Sequence, residues 1–171
     1  MKKICGWYHL VNIIYDMKNF LQYIKENSSS KDEDIITLAK SGKIKKLNEL
    51  IKNGVDLNIT DKEGNTALMW AIRLFHLNIV EKLINSGANI FIKNNIGNTA
   101  LILAAINENL DAINLLIVAG ADWHIKNMHN KDFFDYLNYE SESYAKDIIV
   151  KYPEKYKEYL IKKEAEEKYN L

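Results

Sequence analysis

Residues 64–68 read Gly-Asn-Thr-Ala-Leu, "GNTAL", and residues 97–101 spell the same five letters. The copies lie 33 residues apart, and that offset extends well beyond them. Laid over 94–126, residues 61–93 match again at Ala71/Ala104, Leu77/Leu110, Leu83/Leu116, Ile84/Ile117, Gly87/Gly120, Ala88/Ala121, Ile92/Ile125 and Lys93/Lys126. Unmatched pairs such as Met69/Ile102 and Val80/Ile113 are apolar swaps. A gapless match across a full period is the mark of internal duplication.

The offset continues in weaker form on both sides. "LIKNG" at 50–54 lies over "LINSG" at 83–87, and "NKDFFDYL" at 130–137 replaces "GNTALILA". Degraded end copies are expected of a stacked array, whose terminal units need a more polar outer face. The chain therefore divides into a degenerate first repeat at 28–60, full repeats at 61–93 and 94–126, and a degenerate C-terminal repeat at 127–150. Extensions occupy 1–27 and 151–171.

Within each full unit, Thr66 and Thr99 stand as helix N-caps before the apolar runs Ala67–Leu74 and Ala100–Ile106. A second helical run follows, Asn78–Asn85 and Asp111–Ala119, and Gly87 and Gly120 end it. "ANIFIKNNIG" and "ADWHIKNMHN" then suit a hairpin-like finger. None of these helices is long enough to stand alone, so stability has to come from stacking. That stacking should bury Leu68, Ala71, Val80, Leu83 and Ile84 against Leu101, Ala104, Ile113, Leu116 and Ile117. The expected fold is an all-α repeat solenoid of stacked helix-turn-helix units with short fingers and helical extensions at both ends.

A 33-residue period carrying G-x-T-x-L-x-x-A and then L-[LI]-x-x-G-A-[DN] resembles the ankyrin repeat. The resemblance covers residues 34 to about 150. The family's T-P-L-H tetrapeptide appears as Thr66-Ala67-Leu68-Met69 and Thr99-Ala100-Leu101-Ile102, and the glycine between its two helices is Phe75 in one unit and Glu108 in the other. His76 occupies a position where the family often has histidine, which implies a structural role.

Composition narrows the function. The 171 residues carry 23 basic and 23 acidic side chains, without the basic excess of a phosphate-binding surface, so no nucleic acid is expected. Arg73 is the sole arginine, and Cys5, the sole cysteine, has no partner for an internal disulfide, which suits a reducing compartment. At the N-terminus, Lys2 and Lys3 precede an apolar run, but His9 and Asn12 interrupt it and no small-residue cleavage site follows. Ile4, Trp7, Tyr8, Val11, Ile14 and Tyr15 instead recur at helical spacing and predict an amphipathic helix. Met17 offers a second possible start. At the other end, Pro153 opens a predicted helix to about Lys168, with Tyr156, Tyr159, Leu160 and Lys163 along one side as a cap.

No constellation of catalytic residues emerges. Cys5 with His9, and His124 with His129, are pairs without the third ligand a zinc site needs. Asp132 and Asp135 fit helix capping, and no phosphate loop or Ser-His-Asp arrangement is present. The expectation is a non-enzyme with no cofactor or metal, cytoplasmic and monomeric.

What the family resemblance implies is protein binding through finger tips and the concave face of the first helices. Carried over position by position, the exposed variable sites are Thr60, Lys62, Glu63, Asn65, Trp70, Arg73 and Leu74. The next unit supplies Lys93, Asn95, Ile96, Asn98, Leu103, Ile106 and Asn107, and the last finger Lys126, Met128 and His129. Trp123 is either an anchor or a stacking residue between fingers. An adaptor, inhibitor or scaffold follows. The alternatives are an array held on a membrane surface by the N-terminal helix, with modest charge to support it, and a secreted effector of a host-associated microbe.

Overall fold

Thr66 and Thr99 do cap helices: their Oγ1 atoms face the backbone N–H groups of Met69 and Ile102 at 3.3 and 3.4 Å. The computed structural model describes residues 34–140 and 142–169, so the N-terminal amphipathic helix, Cys5, His9 and the Met17 start lie outside the described residues.

Among the described residues, eight helices pair off: α1 (Ile35–Lys40) with α2 (Ile44–Lys52), α3 (Ala67–Arg73) with α4 (Leu77–Asn85), α5 (Ala100–Ile106) with α6 (Leu110–Val118), and α7 (Phe133–Glu140) with α8 (Glu142–Lys151). A ninth, α9 (Pro153–Tyr169), packs against α8. The first helices form one row, α1 on α3, α3 on α5 and α5 on α7, and the second helices form another, α2 on α4 and α4 on α6. Two rows of short helices thus bury a continuous core: Leu68, Ala71, Val80, Leu83, Leu101, Ala104, Ile113, Leu116 and Ile117 are all buried. Ile84 is only half-buried against them.

The turn between paired helices recurs at the same register. Residues 42, 75 and 108 all take positive φ, 70° at Gly42, 58° at Phe75 and 52° at Glu108. In each, the next amide reaches back five residues: Lys43 to Leu38, His76 to Ala71 and Asn109 to Ala104. That closure is the Schellman motif. A side chain in the left-handed region costs about 1–2 kcal/mol, and Phe75 and Glu108 carry that strain because the helices on either side dictate the turn. His76 ties the first two units, its Nε2 lying 3.3 Å from the Lys40 carbonyl oxygen. Asn109 does the same one unit on, donating to the Ile72 carbonyl at 3.0 Å while capping α6 through Ala112 N–H.

The C-terminal end departs from the repeat. Trp123 is 3% exposed, and it contacts Phe133, Phe134 and Tyr152 with ring centroids 5.8, 5.4 and 6.5 Å away. It is a core residue of the cap and no surface anchor. Asp132 and Asp135 cap α7 reciprocally: Asp132 Oδ1 accepts from the Phe134 and Asp135 amides, and Asp135 Oδ2 from the Asp132 amide. Tyr159 of α9 is buried and donates to Asp132 Oδ2 at 3.0 Å. Tyr156 is half-buried beside it, but Leu160 is 39% exposed, so the helix face turned to the array runs through the tyrosines.

Candidate functional site

The fingers are where the predicted surface residues have to be placed, and their geometry repeats every 33 residues. The closing residues are Asp61, Asn94 and Asn127. The amide of each donates to the carbonyl four residues on, Asn65, Asn98 and Lys131, at 2.9–3.0 Å. The side-chain Oδ1 of each then accepts two further amides, at i+2 and i+4: Glu63 and Asn65, Ile96 and Asn98, His129 and Lys131. One side-chain oxygen thus satisfies backbone donors that a longer hairpin would pair strand to strand. A single bridge, Thr60 to Thr66, is the only β-type pairing among the described residues.

Neighbouring fingers are joined by the other half of the amide. Asn94 Nδ2 donates to Asn65 Oδ1 at 2.9 Å, and Asn127 Nδ2 donates to Asn98 Oδ1 at 2.7 Å. Backbone bonds run alongside, Asn95 N–H to Glu63 O and Met128 N–H to Ile96 O. This close approach explains the first letter of "GNTAL". A Cβ on Gly64 would sit 2.6 Å from Asn95 Oδ1, and one on Gly97 would sit 2.9 Å from the Met128 amide.

Three of the predicted surface positions are therefore corrected. Asn65 and Asn98 are 2% and 3% exposed because their side chains are rungs between fingers. Leu103 is 5% exposed, since α5 sits in mid-row with α3 and α7 on its two sides. Asparagine in a turn reads as a solvent residue, and only the stacking of one finger on the next reveals otherwise.

The remaining positions lie at or near the surface with varied engagements. Thr60, Lys62, Glu63, Arg73, Leu74, Lys93, Asn95, Ile96, Ile106, Met128 and His129 are exposed, and Trp70, Asn107 and Lys126 are half-buried. Several are tied by structural bonds: Asn95 Nδ2 to Lys62 O, Asn107 Nδ2 to Leu103 O, Lys93 Nζ to Lys126 O, and Lys126 Nζ to Glu166 at 2.6 Å. Of these positions, the large apolar side chains Leu74, Ile96, Ile106 and Met128 face water, at 42%, 49%, 43% and 74% exposure.

Trp70 anchors a charged cluster in the first row. Its Nε1 donates to Asp61 Oδ2 at 2.6 Å. Lys40 Nζ lies 4.0 Å from the ring centroid and 3.5 Å from the same carboxylate oxygen, and Arg73 Cζ lies 4.6 Å from the centroid. Burial pushes the Asp61 carboxyl up, but the bonds from Trp70, Asn65 and Glu63 and the charge of Lys40 outweigh it and hold the group below the usual carboxylate range. At the other end, His124 stacks on Tyr159 at 5.1 Å. Burial and the Lys162 charge hold its imidazole below the ordinary histidine value, and with His129 it joins no group of three metal-type ligands among the described residues.

Comparison with known proteins agrees with this geometry. The family profile described as ankyrin repeats in three copies matches residues 35–127. Osteoclast-stimulating factor 1 of Monopterus albus is 39% identical over 59 residues, 34% of this chain and 28% of that protein. Its counterpart in Gallus gallus is 41% identical over 59 residues, 34% and 29% of the two chains. Acyl-CoA-binding domain-containing protein 1 of Arabidopsis thaliana is 39% identical over 62 residues, 36% and 18%. The chain thus spans less than a third of the length of these curated relatives. With more than half of its residues under the profile and the same helix pairs recurring at a 33-residue register, the chain belongs to the ankyrin repeat family.

Proposed function

We propose that this protein is a non-enzymatic binding module that holds a protein partner against the first-helix row and the finger tips. The observation that carries the reading is the set of exposed apolar and cationic side chains there: Arg73, Leu74, Ile96, Ile106 and Met128. They project from a scaffold whose own finger amides are already bonded, so the scaffold loses nothing by leaving them to a partner. Ankyrin repeats as a class bind proteins, and arginine and large apolar residues are favoured interface anchors.

In this reading the units run 28–60, 61–93, 94–126 and 127–150, and the chain acts in the cytoplasm as a monomer without a cofactor. No helix among the described residues is long and apolar enough to cross a membrane.

Cross-linked affinity capture from cells of the native organism, read by mass spectrometry, tests the proposal. The full chain should retain a reproducible partner, and Arg73→Glu combined with Ile96→Glu should release it while the helical circular dichroism stays unchanged. Retention by the double variant refutes the site. Capture of nothing above a control chain refutes the function.

A further inference from the structure

Among the described residues, Arg73 is a cation of this face whose donors go unused, and Asp61, the acid bonded to the same ring, is engaged by other donors. A carboxylate offers about four acceptor positions, and all are occupied here. Oδ1 takes the amides of Glu63 and Asn65 at 3.1 and 2.9 Å, and Oδ2 takes the Trp70 indole at 2.6 Å and Lys40 Nζ at 3.5 Å. Among the described residues no carboxylate or carbonyl accepts from it; its contact is with the Trp70 ring.

That contact matters because a ring attracts the cation without consuming any of its five N–H donors. Trp70 and Arg73 are three residues apart on α3, neighbours on one helix face. The ring therefore restricts the arginine in advance, and less rotamer freedom remains to be lost when a ligand arrives. Apolar surface adjoins it. Leu74 follows in sequence at 42% exposure, and Ile106, 43% exposed, holds the position of Arg73 one unit along the row.

We propose that this patch docks an acidic segment of a polypeptide partner. An Asp or Glu carboxylate takes two parallel bonds from Arg73, which is the geometry a guanidinium fork matches best. A large apolar side chain next to that acid packs on Leu74 and Ile106. Lys40 and the Asp61 carboxylate it pairs with offset one another at long range, which leaves the guanidinium as the net charge of the cluster. Lys62 and Glu63, both exposed on the adjoining finger, offset one another, so the net field at Arg73 stays positive. The proposal rests on the protein-binding reading above and supplies the chemistry of its partner.

Panning a random dodecamer peptide library displayed on phage against the full chain tests it without knowledge of the partner. The wild-type chain should enrich peptides with Asp or Glu beside Leu, Ile, Phe or Met. Arg73→Gln should cut enrichment of the acidic position by about tenfold or more, and Arg73→Glu should replace it with Lys or Arg. Ile106→Asp should erase the apolar preference and leave the acidic one. Circular dichroism should stay unchanged in all three, because both residues are exposed.

An enriched set without acidic bias, or a bias that survives Arg73→Gln, overturns the proposal and leaves the binding module standing. No enrichment at all also overturns it, and the capture experiment then decides separately whether the module reading falls too.

Discussion

Asn94 donates its side-chain amide to Asn65 Oδ1 at 2.9 Å while its own Oδ1 accepts the amides of Ile96 and Asn98. One buried side chain thus closes its own finger and binds the finger before it. Asn94→Ala should cost about 2–4 kcal/mol, because it strands buried donors and an acceptor together. Asn94→Asp should cost less, since a carboxylate still closes the finger as Asp61 does but has no donor for Asn65. Urea unfolding with a shared m-value measures both. An alanine variant within experimental error of the wild type would remove the ladder from the account of stability.

Glycines of similar backbone angle should respond differently. Gly64 has φ +77° with Asn95 2.6 Å from a would-be Cβ, whereas Gly87 has φ +87° with nothing within 4 Å. Gly87→Ala should cost only the left-handed strain, roughly 1–2 kcal/mol, and Gly64→Ala about twice that from the added clash with the next finger. Glu108→Gly should run the other way and raise stability by about 0.5–1 kcal/mol, the strain relieved less the added chain entropy. Thermal melts of the three variants order them directly.

The cap should show itself at alkaline pH. Burial pushes the Tyr159 hydroxyl up to about 12, with the Lys163 bond opposing and the Asp132 charge assisting. The unfolded value is near 10, so the folded chain favours the neutral phenol. Its contribution is fully present below pH 10 and is lost as pH rises toward 12. The loss should be on the order of 2 kcal/mol, and Tyr159→Phe should show a shallower decline over the same window. Lys163, raised first by its bond to Tyr159, loses its contribution in that window too, and the phenylalanine variant removes both. Parallel declines in wild type and variant would contradict the assignment.

Trp123 is buried, yet its Nε1 has no hydrogen-bond partner among the described residues. Trp123→Phe should therefore be nearly neutral, since the smaller ring loses contacts but also removes an unpaired donor. Trp123→Ala should cost about 3–5 kcal/mol as a cavity opens among Phe133, Phe134 and Tyr152. Chemical denaturation of the two variants separates packing from the indole N–H.

The helices were legible because their signals are local. Thr66 and Thr99 announce the first helices, Gly87 and Gly120 end the second, and the 33-residue spacing aligns them. Asn65 and Asn98 misled for the opposite reason: each meets its partner 29 residues away, in a different finger. Leu103 misled likewise, and the sequence left Trp123 between an anchor and a stacking residue, since the burial of both depends on α7 and the aromatic cap closing over them. Phe75 and Glu108 hid the left-handed turn because neither residue type favours it. Arg73 could be singled out as the sole arginine, but its seat on the Trp70 ring, with Asp61 engaged by other donors, exists only in three dimensions.

The finger ladder also has end groups, as a linear polymer does. Along the ladder, the first of the described fingers is closed by Asp61, an acceptor with no amide to pass backward. At its finish, the slot filled by Asn65 and Asn98 holds Lys131, a donor that offers no side-chain oxygen to a following amide. Neither of these fingers can extend the side-chain rung outward, while the middle fingers both give and receive it. A further copy of residues 94–126 spliced in after Lys126 would meet a matching partner on each side, so insertion there keeps every rung of the ladder.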